Sequence, residues 1–234
     1  MVWKAEELPS RLRVASVVGK RTVKEATELI SKVKERSDGS IPLFLSDNLD
    51  AYPNALLNVY GEKEEPKRER HPGRPRTRPV IRPPADLQYA QVVKHRDEHG
   101  RVTSIERRVV FGSEEEVKEK LREAGCYMTI STAHVESDNL MSRQTSSRLV
   151  RDALSFSKAM EALRYHTALD DLAHNFLRYH GSLRTRLRRP LPTRGRKGTR
   201  KRWAQRTPAM AAGLADHRWT MMELMTYPMV NSYR

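Results

Sequence analysis

The chain has 234 residues, enough for one good-sized domain or two small ones, and its 44 Lys and Arg against 29 Asp and Glu leave a net charge of +15, which excludes an acidic scaffold. Hydrophobic residues make up 38% and charged residues 31%, so a core forms while part of the sequence stays outside it. No stretch approaches the ~18 apolar residues of a membrane span, and the start, MVWKAEELPSR, lacks the apolar segment of a secretion signal. A polyanionic partner fits this balance, and nucleic acid fits best, because neutralising phosphates releases counterions.

In chain order, the apolar run Leu12 to Val18, β-branched at Val14, Val17 and Val18, predicts a buried strand. Thr22 and Glu25 have capping-box spacing, and Val23, Ala26, Ile30 and Val33 form one helical face. IPLFLSD predicts a short strand ending at Asp47, and a second amphipathic helix runs from Ala51 to Val59. Strand, helix, strand, helix is the order of an α/β layer.

Residues 62–86 hold Pro66, Pro72, Pro75, Pro79, Pro83 and Pro84 and predict an extended Pro/Arg-rich linker. In 87–125, two strand-like runs, Leu87 to His95 and Val102 to Phe111, flank Asp97-Glu98-His99-Gly100, a hairpin loop. Ser113 and Glu116 then cap a short helix carrying Val117 and Leu121. Cys126, the one cysteine, reads as a small buried residue.

In 126–183 the stripe Leu149, Ala153, Phe156, Met160, Leu163, Leu169, Leu172 and Phe176 predicts one or two long helices, packed as core or, alternatively, paired as a dimerising seam. From Arg184 to Arg206 there are eleven Lys/Arg and no acid, interrupted by Pro190, Pro192, Gly195 and Gly198. This segment, 184–206, reads as a flexible basic loop. A short tail, 207–234, closes the chain.

Asp47, at a strand end, and Glu136, near the start of the helical block 89 residues later, are the candidate acids. Taken singly, the first reads equally as a turn or N-cap residue and the second as a solvated first-turn residue. The text around them says more. FLSDNLDAYPNAL is similar to the second-aspartate motif of insertion-sequence transposases of the DDE superfamily, RNase H-like and integrase-type enzymes of mobile elements. ISTAHVESDNLMSRQTSSRLVRDALSFSKAME resembles the stretch of those enzymes around the glutamate of V-E-R. NFLRYHGSLR and TPAMAAGLADHRWTMMELM resemble their closing segments, and RLRVASVVGKRT their second strand. The resemblance spans most of the chain apart from 62–86, 87–125 and 184–206, taken as linker, inserted hairpin block and basic loop.

The resemblance implies an α/β fold with a mixed RNase H-like sheet flanked by helices, 1–61 being its first part and 126–183 its glutamate-bearing helical part. It implies that Asp47 and Glu136 are the second and third catalytic carboxylates. The family's first aspartate falls, in VWKAEELPSR, on Glu7 with Glu6 beside it, and no aspartate precedes Asp38. Lys4, Glu6 and Glu7 also leave that first strand too polar for a buried central position, so it reads as truncated or degenerate. Ser137 stands where the family usually has arginine. The start of the chain suggests the loss of an end-binding region that would precede this strand.

The chemistry implied is DNA strand cleavage and transfer with two Mg²⁺ ions, Mn²⁺ substituting, held about 3.5–4 Å apart by the carboxylates. The partners implied are double-stranded DNA, as element ends and target, and a homo-oligomer on it, in the cytoplasm with the nucleoid and with no membrane. DNA phosphates are expected at Arg143, Arg148 and Arg151 and at Arg184, Arg186, Arg188, Arg189, Arg194, Arg196, Lys197, Arg200, Lys201 and Arg202. Two other classes remain open: a non-catalytic DNA-binding remnant of such an enzyme, and an unrelated basic nucleic-acid-binding protein.

Overall fold

The computed structural model describes residues 1–65, 79–125, 130–150, 154–155, 157–192 and 200–227. Cys126, Arg151, Arg194, Arg196 and Lys197, and most of the Pro/Arg-rich linker, lie outside the described residues. The described chain is mixed α/β, with seven α-helices and several small sheets among those residues. It divides into two compact units, Met1–Lys4 with Val17–Asp138, and Ala5–Ser16 with Asn139–Arg234.

Strands β1 (Val2–Glu7) and β2 (Leu12–Val18) pair as a two-stranded sheet that contributes to both units. β1 is therefore a regular strand despite its charges. Its lysine is neutralised where it is buried: Lys4 Nζ lies 3.3 Å from Asp138 Oδ2, both side chains almost fully enclosed. A buried ammonium without such a partner would cost several kcal/mol, about 3–5 when one partner is removed.

In the first unit, α1 (Val23–Glu35) buries Ala26, Leu29, Ile30 and Val33 and packs against α2 (Ala51–Tyr60), which buries Ala51, Ala55, Leu56 and Tyr60. Thr22 is the N-cap of α1, but the expected capping box does not form. Its hydroxyl donates to the Glu25 carboxylate instead of accepting from the helix backbone, and Glu25 accepts from the Lys20 amide at 3.3 Å. Trp3, 2% exposed, donates from its indole to the Lys20 carbonyl at 2.9 Å and meets the Tyr52 ring edge-on at 5.6 Å. Gly61 ends α2 because a Cβ there would come within 2.3 Å of the Leu57 carbonyl oxygen and 2.4 Å of Ile81. The described ends of the linker are extended and pair with each other: β4 (Glu62–Glu64) and β5 (Val80–Arg82) run antiparallel.

The hairpin block is part of the same sheet as β3 (Phe44–Asp47). β6 (Tyr89–Arg96) pairs parallel with β3, Asp47 opposite Val92, and antiparallel with β7 (Val102–Phe111). The turn is as expected, with Gly100 at φ +77° and its amide bonded to the Asp97 carbonyl at 2.9 Å. β6 is buried at Tyr89, Ala90, Gln91 and Val92 and exposed beyond. Helix α3 (Glu114–Glu123) begins with a complete Ser113–Glu116 capping box, and its Val117 and Leu121 join Ala90, Val92 and Ile130 in one apolar cluster. Each such side chain contributes about 1.5–3 kcal/mol on burial, which fixes the sheet end carrying Asp47.

The second unit is held by polar groups. Arg13, in the apolar-looking strand β2, is 4% exposed, and its guanidinium donates to Asp170 Oδ2 at 2.8 Å, Asp171 Oδ1 at 3.2 Å and Ser142 Oγ at 2.8 Å. Helix α5 (Met160–Leu172) passes into a π-helical turn, Ala173–Leu177, whose wider pitch re-aims Asn175 at β2. Asn175 accepts from the Arg13 amide and donates to the Arg13 carbonyl, both at 3.0 Å, and so does the work of an extra strand.

Two expectations fail in this unit. Helix α4 (Ala133–Thr145) ends before the apolar stripe, Leu149 lies in a 3-10 turn (Ser147–Leu149), and the described residues up to α5 are not helical. Serines capture the chain there: Ser155 donates to the Ser147 carbonyl at 2.8 Å, and Ser157 accepts from Arg148 at 2.7 Å. The stripe on α5 is also not core, since Met160, Leu169 and Leu172 are exposed while Thr167 and Asp170 are the buried positions.

The basic segment, expected as a loop, carries two strands among its described residues. β8 (Thr185–Pro192) and β9 (Arg200–Ala204) pair antiparallel, with an irregularity between Arg186 and Leu191 that accommodates Pro190. Thr207 then caps the short α6 (Pro208–Ala211), and Thr220 with Glu223 caps α7 (Met221–Thr226).

Candidate active site

Asp47 stands at the carboxyl end of β3, where parallel strands commonly present functional groups. Glu136 occupies the first turn of α4. Both belong to the first unit. Asp47 keeps solvent contact, yet partial burial pushes its carboxyl above the ordinary range, Arg21 pulls it down, and the charge of Glu136 pushes it up again. For Glu136, desolvation is the largest single influence and raises the pKa. Hydrogen bonds from Lys94 and Thr132, with the charges of Lys94 and Arg96, outweigh it and leave the group below the usual carboxylate range. The Lys94 ammonium, on β6, is paired directly with Glu136 Oε1, and Thr132 Oγ1 donates to the same oxygen at 2.8 Å.

A chain of hydrogen bonds braces the Asp47 turn from beneath. Arg108 donates to Gln91 Oε1 at 2.7 Å, Gln91 Nε2 to the Tyr89 hydroxyl at 2.8 Å, and that hydroxyl is 2.7 Å from Ser46 Oγ, which donates to the Asp47 carbonyl at 2.7 Å. Arg108 also reaches Asn48 Oδ1 at 3.1 Å, so one guanidinium touches both sides of the turn. Tyr89 and Gln91 are 1% exposed. Burial holds the Tyr89 phenol at about 12 and raises Tyr52, beside Asp47, further still, so both are neutral hydroxyls at any working pH.

The remaining expected site residues are placed elsewhere or serve locally. Glu7 ends β1 in the second unit and accepts a hydrogen bond from Ser10 Oγ; Glu6 lies 3.9 Å from Arg11. Among the described residues no group of three or more His, Cys, Asp or Glu gathers to hold a metal ion. Asp47 and Glu136 are nonetheless a donor pair suited to one hard divalent cation. Mg²⁺ is commonly bound through one or two carboxylates with water completing its octahedron, and such a charge would relieve their mutual repulsion.

Arg143 lies half-buried in the last turn of α4, and Arg148 is exposed in the 3-10 turn. Arg186, Arg188, Arg189, Arg200, Lys201 and Arg202 are all exposed on the ribbon, and Arg184 lies 4.8 Å above the Trp203 ring. Arg186, Arg188 and Arg202 line an open cleft of about 540 Å³ with Leu187 and Pro190. Sequence reasoning missed Lys94, Arg21, Tyr89, Gln91 and Arg108. The available signal was alternation: Tyr89 and Gln91 point to one face of β6, Val92 and Lys94 to the other. No described helix is long and apolar enough to cross a membrane. Comparison with protein-family models, curated proteins and solved structures finds no match.

Proposed function

We propose that the chain is a DDE-type transposase domain that cleaves and joins DNA strands with a divalent metal ion. The observation that carries this reading is that Asp47 and Glu136, 89 residues apart in sequence and each inside a stretch resembling a transposase motif, lie in one unit, with the charge of Glu136 felt at Asp47. The β3–β6–β7 sheet, with β3 and β6 parallel and β6 and β7 antiparallel, supports a mixed sheet of the RNase H-like kind.

In this reading Asp47 and Glu136 hold the cation, which supplies charge for a developing alkoxide at the scissile phosphodiester. Tyr89, Ser46, Gln91 and Arg108 keep the Asp47 turn in place. The exposed arginines of the β8–β9 ribbon neutralise DNA phosphates without reading sequence. Glu7, in the second unit, has no part in this reading.

A second reading has its own support. With Lys94 seated on Glu136 and no three-acid cluster among the described residues, a basic DNA-binding remnant without catalysis also fits. Nicking of supercoiled plasmid by the purified chain in Mg²⁺ and in Mn²⁺ separates the two. The enzyme reading expects nicking that Asp47→Ala abolishes while DNA binding is kept. Binding without nicking supports the remnant, and nicking untouched by Asp47→Ala removes Asp47 from the site.

A further inference from the structure

Lys94 is the one described side chain that touches a candidate metal-binding carboxylate with a full opposite charge. It reaches Glu136 from β6, two residues beyond the last β3 pair and opposite Ile105 of β7, so its position is set by β7 alone. The pair is open to water, Lys94 27% and Glu136 53% exposed, and an ion pair so placed is weak enough to be exchanged. Thr132 bonds to the same oxygen, Oε1, so the carboxylate stays oriented when the lysine leaves.

We propose that Lys94 is a counter-ion built into the site: it holds Glu136 when no divalent cation is present, and is displaced by the cation onto a DNA phosphate. The proposal rests on the reading of Asp47 and Glu136 as a cation site. A divalent ion on Glu136 repels the ammonium. The phosphodiester drawn in by that ion is then the nearest anion Lys94 can take, and Lys94 binds it as a point charge. Cation binding and phosphate binding are thereby coupled through one side chain.

The test uses the full chain and titrates Mn²⁺ by calorimetry in the wild type, Lys94→Met, Asp47→Asn and Glu136→Gln. Removing the competitor should tighten Mn²⁺ about two- to fivefold in Lys94→Met, while loss of a carboxylate should weaken it at least about tenfold. With Ca²⁺ present, Lys94→Met should bind a short random-sequence duplex less tightly than the wild type, and without a divalent ion equally well. Mn²⁺ affinity unchanged or weakened in Lys94→Met, alongside clear losses in Asp47→Asn and Glu136→Gln, overturns the counter-ion role alone. Mn²⁺ binding unaffected by the carboxylate variants overturns the site itself. Should Lys94→Met fold poorly, the Lys94 ammonium resonance in the wild type decides: it shifts on Mg²⁺ addition if the exchange occurs, and its standing still at saturation contradicts it.

Discussion

Two polar clusters, one in each unit, solve opposite problems with similar residues. Around Arg13 the guanidinium is enclosed and answered by Asp170, Asp171 and Ser142, and Asp170 also accepts from Thr145 at 3.2 Å. Around Asp47 the charges face solvent, Glu136 raises the Asp47 carboxyl against the pull of Arg21, and Lys94 is bonded to Glu136. The first arrangement is a satisfied buried network that specifies a fold. The second is an electrostatically incomplete group on a rigid support, which is what a site awaiting a cation requires.

The comparison can be broken most forcefully at Arg13. Arg13→Ala takes the buried guanidinium from Asp170 and Asp171, leaving Asp170 with Arg178 at 3.5 Å and Thr145, and should cost about 3 kcal/mol, read as a large fall in urea midpoint. A loss below about 1 kcal/mol, the size expected of an exposed pair, would mean the network is not the keystone of its unit.

That network was the least legible part of the sequence. In RLRVASVV the arginine at the third position looks like an outward residue of a half-buried strand, and its partner lies 157 residues away. Nothing local announces it. By contrast β2, α1, β3, α2 and α3 were readable because apolar spacing and caps act within a few residues. The strand end at Asp47 was readable from the apolar run IPLFL before it, whereas the roles of Asp47 and Glu136 came only from the resemblance of the stretches around them. The β8–β9 ribbon was not: Pro190 and Pro192 argue against a central strand, yet a two-stranded ribbon tolerates them. The apolar stripe through Leu149 and Met160 misled for a similar reason, since serine side chains there offer the backbone other partners than a helix does.

Tyr89 sharpens the comparison from within the first unit. Tyr89→Phe keeps the ring in place but leaves buried Gln91 without its acceptor, which should cost about 1–3 kcal/mol. If the brace positions Asp47, the same change also weakens Mn²⁺ binding. Reduced stability with Mn²⁺ affinity intact would make Tyr89 a core residue and nothing more.

The smallest expected effect on stability is the most telling. Because the folded protein raises the Asp47 pKa, its ionisation opposes folding. The penalty is absent below the unfolded-state value, grows as pH rises through the folded value, and is complete above it. Asp47→Asn should therefore be neutral or slightly stabilising at neutral pH. Asp170→Asn, which discharges an acid that Arg13 needs, should be clearly destabilising.

Urea unfolding of these two variants and the wild type, with and without Mn²⁺, tests the central claim most directly. The account predicts that Asp47→Asn keeps its stability in metal-free buffer but loses the increment Mn²⁺ gives the wild type, whereas Asp170→Asn is weakened and keeps that increment. An Asp47→Asn protein that Mn²⁺ still stabilises as it does the wild type would contradict it.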